Sequence, residues 1–379
     1  MLATQISQFR LAIEYERSGG WRSGPGTLML DVVDYPGEWL LDLALIDQSY
    51  TAWPRATIAG TRRSGRGAIA TPWLQILKQL NPSDPLDEVV AEHASTAFKT
   101  YLSALRAGPE AVATTPPGRF LMPGDLAGSP ALTFAPLDNL PETLAADSLA
   151  GLMERRFEAY KAKVVEPFFR NHFQRVDRQI VLVDVLAAVD AGPAALAELE
   201  EALDSVLLSF RIGRNTILSR LFAPRAERIL FAATKADHLH QTSHDRLDAL
   251  LRLLVSRAMR RTEAAGARVG TVALASVRAT RETTVHDGDE ILRAVSGTPE
   301  AGEHVGDEVF DGLSEAAIFP GELPQRPESV LEGAVPPGSL RFPRFRPPLV
   351  KPDALGRPGD LPQIRLDRAM QFLIGDRLA

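Results

Sequence analysis

The pattern of hydrophobic and polar positions near the N-terminus predicts a pair of β-strands. Residues Phe9–Tyr15 alternate apolar and polar side chains, which is typical of a half-exposed strand. Residues Thr27–Val33 form a nearly continuous aliphatic run that leads into Asp34, which indicates a strand buried on both faces of a sheet. Glycines between the two runs, including Gly19–Gly20, favour a turn. We therefore expect an antiparallel hairpin.

A different pattern follows the hairpin. From Leu40 to about Arg106, Leu, Ala and charged residues recur at helical spacing with little β-branching. The stretch Leu152–Tyr160 places its apolar residues on one stripe and is expected to end near Pro167. A loop rich in Pro and Gly, residues 114–124, interrupts the helical pattern. These features predict a mostly helical insertion over residues 40–174.

Strand patterns resume in the second half of the chain. Apolar runs at Gln179–Leu186, Arg228–Ala233 and Val269–Ala275 each fit a buried strand. Between the last two runs, a helical pattern begins near Ser243 and stops at Gly266. Strand, helix and strand in this order predict a right-handed parallel crossover, so the fold class is α/β.

Composition narrows the possible functions. The chain has 379 residues, a net charge of -6 and no cysteine. An acidic chain is not typical of a dedicated nucleic-acid binder, and the absence of cysteine excludes disulfides and thiolate metal sites. The longest apolar runs are shorter than the roughly 20 residues of a membrane helix, and the N-terminus lacks a signal-peptide pattern. We expect a cytoplasmic protein with no nucleic-acid partner and no membrane span.

The end of the second predicted strand carries candidate chemistry. Asp34 and Gly37 form an Asp-x-x-Gly motif at the carboxyl end of that strand. There, Asp34 could hold Mg²⁺ through water, and the Gly37 backbone N–H could meet a terminal phosphate. Glu38 could orient an attacking water. A plain Pro-Gly turn and a helix-starting acid explain the same residues equally well.

Two further loops fit a guanine site. Thr234, Lys235 and Asp237 follow one predicted strand, and Ser276 and Val277 follow the next. An aspartate can accept both N–H groups on one edge of guanine, which adenine does not offer. The Lys235 stem could lie across the base, and a backbone N–H near Ser276 or Val277 could meet the guanine O6. A surface turn that leads into a helix is the alternative.

Together these residues resemble the YcjX family of bacterial P-loop GTPases. The resemblance extends from near Phe9 to the C-terminus. It is carried by four motifs: Asp34–Leu43, Thr234–Asp237, Ala275–Thr280 and Ile364–Leu373.

The resemblance implies a Ras-like, three-layer P-loop NTPase core with a helical domain inserted in it. Residues 1–39 and 175–379 would form the core, and residues 40–174 the insertion. It also implies binding of GTP or GDP with Mg²⁺, slow GTP hydrolysis, and a role in the envelope-stress response with a protein partner. Such a protein would be cytoplasmic, or peripheral to the inner membrane.

One departure from the family is large. Its members carry a strand, a Gly-x-x-x-x-Gly-Lys-Ser/Thr loop and a helix ahead of the segment that corresponds to Phe9, and the printed sequence begins after that point. The run Gly60–Gly67 has the two glycines of that loop, Gly60 and Gly65, but no Lys-Ser/Thr, so we interpret it as a basic turn. We expect either that Met1 is not the functional start, or that the chain binds nucleotide weakly. The alternative function is a nucleotide-free scaffold of the same fold.

Three remaining features complete the predictions. His238, His240 and His244 do not match a standard zinc spacing and are expected to be exposed. The segment Arg341–Arg346 is expected to be an extended surface stretch held by Pro343. The final helix, Ile364–Asp376, is expected to dock its apolar face on the core.

Overall fold

The computed structural model describes residues 6–17, 24–62, 66–107, 115–209, 226–263, 266–350, 352, 356 and 359–378. The predicted turn at Gly19–Gly20 lies outside these ranges. By its internal contacts, the chain divides into two compact units. The N-terminal unit comprises Met1–Val176 and Glu201–Arg225, and the C-terminal unit comprises Asp177–Glu200 and Ala226–Ala379.

The N-terminal unit begins with the predicted antiparallel hairpin. Strands β1 (Ser7–Arg17) and β2 (Gly24–Asp34) pair along their whole length, with Ser7 opposite Asp34. The expectation that β2 is buried on both faces is wrong, since Met29 is 54% exposed. Within the described ranges these two strands form a sheet of their own, and no third strand pairs with either of them. Consequently Asp34 lies at the end of an exposed ribbon.

The rest of this unit is helical, as the spacing of its apolar residues predicts. Its core is aromatic: Trp53 stacks on Phe157 with 4.9 Å between ring centroids, and Phe98 and Phe134 meet the Trp53 ring edge-on. All four side chains are fully buried. The helices are α1 (Glu38–Leu41), α2 (Ala52–Gly60), α3 (Arg66–Gln79), α4 (Glu88–Ala107), α5 (Leu149–Tyr160) and α6 (Glu166–Asn171).

The helix predicted to stop near Pro167 instead continues past it. A π-helical turn, Lys161–Val165, joins α5 to α6, and α6 extends to Asn171. Pro167 falls in the first turn of α6, where a missing backbone N–H costs little because those groups have no partner within the helix. The proline is therefore accommodated without ending the helical path.

The C-terminal unit contains the predicted parallel crossover. Strands β3 (Arg178–Val183), β4 (Arg228–Ala233) and β5 (Arg268–Ala273) form a parallel sheet in the order β3-β4-β5. Their carboxyl ends are in register, with Val183 beside Ala233 and Ala233 beside Ala273. The central strand β4 is almost entirely buried. Strand β3 lies at an edge, and only its alternate residues are buried.

Helices pack on this sheet, and two further antiparallel sheets, one of three strands and one of two, complete the described part of the unit. The helices are α7 (Val185–Ala191), α8 (Pro193–Ser209, whose residues from Glu201 onward belong to the N-terminal unit), α9 (His244–Leu254), α10 (Ser256–Glu263), α11 (Pro327–Leu331) and α12 (Leu366–Ile374). The other strands are β6 (Arg281–Asp287), β7 (Glu290–Gly297), β8 (His304–Val305), β9 (Glu308–Val309) and β10 (Ala316–Ile318). The predicted final helix, α12, docks on the parallel sheet through Ala369, Leu373 and the Phe372 ring against Gly270.

The division into units differs from the predicted domains at two points. The hairpin and Glu201–Arg225 group with the helical residues, whereas residues 1–39 and 175–379 were predicted to form the α/β core. What the structure contains is a mixed α/β chain with a parallel sheet and many helices, consistent with a Ras-like GTPase.

Candidate functional site

The turn that carries Asp34 is short and regular. The Pro36 carbonyl accepts from the Trp39 N–H at 3.1 Å, and the Gly37 carbonyl accepts from the Leu40 N–H at 3.0 Å. The Asp34 side chain is exposed at the end of β2. Gly37 has an ordinary φ of -60°, and a Cβ at this position would meet nothing within 4 Å. The protein's own geometry therefore does not demand a glycine here.

Glu38, the predicted water-orienting residue, is engaged by a cation. Its carboxylate lies 2.6 Å from the Arg106 guanidinium. It also stands in the first turn of α1, where a negative charge is favoured by the helix dipole. Both contacts agree with the interpretation of Glu38 as a helix-starting acid.

Asp42, which the sequence analysis did not single out, is the most perturbed carboxyl group of this unit. It is 2% exposed, and it accepts hydrogen bonds from Gly118 N–H at 2.6 Å and from the Tyr160 hydroxyl at 2.6 Å. Burial raises the pKa of Asp42 to about 6, against the lowering effect of these donors and of Arg119. Asp42 lies within the motif Asp34–Leu43, but its burial has no signal in the local sequence, because its backbone donor lies 76 positions away.

In the C-terminal unit, the predicted Thr-Lys-x-Asp motif begins directly after β4. The Thr234 N–H donates to the Val183 carbonyl of β3 at 3.0 Å. Lys235 has a left-handed backbone, with φ 61°, and its ammonium lies 2.6 Å from Asp184. Asp184 also accepts from the Ala187 N–H as the N-cap of α7. Asp184 is thus a structural hydrogen-bonding group at the carboxyl edge of the sheet.

Asp237 joins the two loops that were predicted to meet. It is 5% exposed, and its Oδ2 accepts from the Ala279 N–H at 2.9 Å. The Thr280 hydroxyl donates to the Asp237 backbone carbonyl. Oδ1 accepts no hydrogen bond from the described residues. The carboxylate is therefore anchored through Oδ2, while Oδ1 can still accept hydrogen bonds.

Ser276 and Val277 lie at the exposed tip of the loop that Asp237 anchors. The C-terminal segment braces this loop: Ala275 and Ile364 exchange backbone hydrogen bonds of 3.1 and 2.8 Å, and Arg278 N–H donates to the Pro362 carbonyl at 2.6 Å. Within the described ranges, the backbone N–H groups of Ser276 and Val277 have no acceptor. The bracing by residues 362–364 has no signal in the local sequence.

The expectation that the histidines are exposed is wrong for His238 and His244. Both are buried, and desolvation lowers the pKa of each imidazole. The His238 ring meets the ring of Phe345 edge-on, at 5.5 Å between centroids. Phe345 is itself buried, so the segment Arg341–Arg346 is extended but packs one aromatic residue inward.

The predicted site residues thus fall in both units. Asp34, Gly37 and Glu38 belong to the N-terminal unit, and Thr234, Lys235, Asp237, Ser276 and Val277 belong to the C-terminal unit. The described residues contain no group of three or more His, Asp or Glu side chains that could hold a metal ion by themselves. None of their helices is long and apolar enough to cross a membrane.

Comparison with known proteins identifies the family. The model of the YcjX-like family, DUF463, matches residues 2–378. The Ras-like GTPase YcjX of Escherichia coli K12 is 36% identical over 388 aligned residues, which cover 98% of this chain and 78% of that protein. The Ras-like GTPase YcjX of Shewanella oneidensis is 33% identical over 397 aligned residues, which cover 98% of this chain and 76% of that protein. The chain therefore belongs to the YcjX-like family.

Proposed function

We propose that this protein binds guanine nucleotides, with Asp237 as the residue that reads the base. The observation that supports this proposal most strongly is the hydrogen bonding of the Asp237 carboxylate. Ala279 N–H occupies Oδ2, while Oδ1 accepts nothing among the described residues. An unused acceptor oxygen on a largely buried side chain matches the N1–H and N2–H donors of guanine.

The neighbouring loop supports the same ligand. The unused N–H groups of Ser276 and Val277 are suitable donors for the guanine O6. Thr234 fixes the start of the motif on β3. The Lys235 stem could still cover the base, because its ion pair with Asp184 is half exposed and therefore weak. Adenine lacks the donors and the acceptor that these groups require.

The Asp34 turn is the proposed contact to Mg²⁺ and the terminal phosphate. Mg²⁺ is usually held by one or two carboxylates together with substrate phosphates and water. Asp34 would therefore hold the ion only when the nucleotide phosphates supply the other ligands. When bound, Mg²⁺ neutralises charge on the β- and γ-phosphate oxygens. The open space at Gly37 would let the backbone N–H approach the γ-phosphate.

We assign slow GTP hydrolysis to the Asp34 turn. Glu38 follows Gly37 where it could orient water, but its carboxylate is already engaged by the Arg106 guanidinium. The family resemblance supports a role in the stress response with a protein partner, in the cytoplasm or at the inner membrane. The apolar residues Phe9, Leu11 and Met29, exposed on the hairpin, favour the alternative of a scaffold that acts through protein contacts.

The test is the variant Asp237→Asn. Because Ala279 N–H needs an acceptor, the amide oxygen should take the place of Oδ2 and the NH₂ group should replace Oδ1. The NH₂ group would then face the guanine N2–H₂ donor, and affinity for GDP should fall by about a hundredfold or more. Xanthosine diphosphate carries a carbonyl at that position and should gain affinity.

The matched control is Asp287→Asn, which makes the same chemical change at the exposed end of strand β6. Calorimetric titration with both nucleotides measures the outcome. If Asp237→Asn binds GDP as tightly as the parent chain does, Asp237 does not read the base.

A further inference from the structure

The residues that follow Gly37 are held by a loop far along the chain. The backbone of Gly118 lies directly against Glu38, so that a Cβ at position 118 would collide with the Glu38 carbonyl oxygen. One helical turn later, Asp42 accepts the Gly118 N–H at 2.6 Å. Gly118 therefore contacts both the first residue of α1 and the residue directly after that helix.

The same loop also grips Trp39. The indole N–H of Trp39 donates to the Met122 carbonyl at 2.9 Å, and the Arg119 guanidinium lies 3.1 Å from the centre of a Trp39 ring. Arg119 N–H reaches the second oxygen of Asp42 at 3.3 Å. Residues 118–122 thus contact three of the first five residues after Gly37.

A buried hydroxyl completes the contact. Tyr160, at the end of α5, donates to Asp42 Oδ2 at 2.6 Å. Both Asp42 and Tyr160 are almost fully buried, so neither can exchange its partner for water without a local opening. Asp34, by contrast, is exposed four positions before Glu38. One end of this short segment is buried and the other end is exposed.

We propose that Asp42 and Gly118 are positioning residues for the Asp34–Gly37 turn, holding it in the geometry in which the Gly37 N–H meets the γ-phosphate of GTP. The inference rests on the proposed function and deepens it. The preference for GTP over GDP then depends on a contact between α1 and the loop at residues 118–122. Neither Asp42 nor Gly118 touches the nucleotide, so base selectivity does not depend on them.

The variant Gly118→Ala tests this inference. The added methyl group must displace the Glu38 carbonyl, so the affinity ratio of a non-hydrolysable GTP analogue to GDP should fall by about tenfold. The ratio of GDP to ADP affinity should stay unchanged. Gly67→Ala is the matched control, because a Cβ at that position meets nothing within 4 Å and both ratios should persist.

Tyr160→Phe provides a second variant in case Gly118→Ala does not fold. It removes only the hydroxyl that donates to Asp42, and it should lower the GTP-to-GDP ratio in the same direction by a smaller factor. A folded Gly118→Ala or Tyr160→Phe chain that keeps the parent ratio overturns the inference and leaves the proposed function intact. If the parent chain shows no guanine selectivity, both fail.

Discussion

The two loops after the parallel strands and the turn after the hairpin are held in different ways. In the C-terminal unit, Asp237 ties two loops together at the carboxyl edge of a sheet whose central strand is buried. In the N-terminal unit, Asp34 ends an exposed two-stranded ribbon opposite Ser7, and the residues after Gly37 are held by the contact between Asp42 and Gly118. The first carboxylate is buried between two loops, and the second is exposed at the end of a strand.

This difference matches the two proposed tasks. Guanine is the same in GDP and GTP, so its reader benefits from a fixed shape. The γ-phosphate is present in only one of them, so its reader must respond to its arrival. A turn held at Asp42 and exposed at Asp34 can make that response and transmit it to the loop at residues 118–122.

The largest expected effect is the pH dependence of the unfolding free energy that Asp42 contributes. The folded-state pKa of Asp42 is raised to about 6 from an ordinary 3.8, so the folded chain binds this proton more tightly than the unfolded chain. The contribution of Asp42 is therefore most favourable below pH 4, and it declines as the pH rises through 6. From the roughly two-unit shift, the loss is about 3 kcal/mol of unfolding free energy.

Measurement of this effect needs a difference between two chains. Other groups also make the unfolding free energy depend on pH. Glu282, Glu303 and the buried imidazoles of His238 and His244 have lowered pKa values, so the unfolding free energy that they contribute decreases as the pH falls. Urea unfolding of the parent chain and of Asp42→Asn is measured from pH 4 to pH 8, and the difference between the two chains isolates the contribution of Asp42. Among the groups that shift the pKa of Asp42, Tyr160 and Arg119 are those with a titratable side chain. A difference that is constant across this range would contradict a buried, ionisable Asp42.

A smaller effect, on nucleotide affinity, is expected from Asp34 at the exposed end of the segment. Asp34→Ala should leave the unfolding free energy within about 0.5 kcal/mol of the parent, because the side chain is exposed. It should lower Mg²⁺-dependent affinity for a GTP analogue by about tenfold, or about 1.4 kcal/mol. Asp31→Ala, an exposed aspartate on the same strand, is the control. Equal affinity of Asp34→Ala and Asp31→Ala with Mg²⁺ present would remove Asp34 from the metal site.

The sequence predicted the C-terminal unit better than the N-terminal unit, for a physical reason. Parallel strands joined by a helix must bring their carboxyl ends to one edge, so Thr234–Asp237 and the loop at Ser276 could be placed together from local patterns. The aliphatic run of β2 has the same composition whether or not another layer covers it. Its exposure therefore could not be read from residues 27–33.

Contacts between distant positions account for the rest. The Asp42–Gly118 hydrogen bond joins residues 76 positions apart, and the burial of His238 depends on Phe345. Neither pair carries a motif, since each contact is created by the packing of whole elements. The glycine at position 118 looks like a loop residue in the sequence, and only the adjacent Glu38 carbonyl explains it.

The central claim is that this chain distinguishes guanine from adenine through Asp237. Competition of GDP and ADP against a fluorescent GDP analogue, bound to the chain of 379 residues, tests it most directly. We expect GDP to displace the probe at concentrations more than about a hundredfold lower than ADP, because adenine leaves the Asp237 carboxylate without donors. Displacement by both nucleotides at the same concentration, or no binding of the probe, would contradict it.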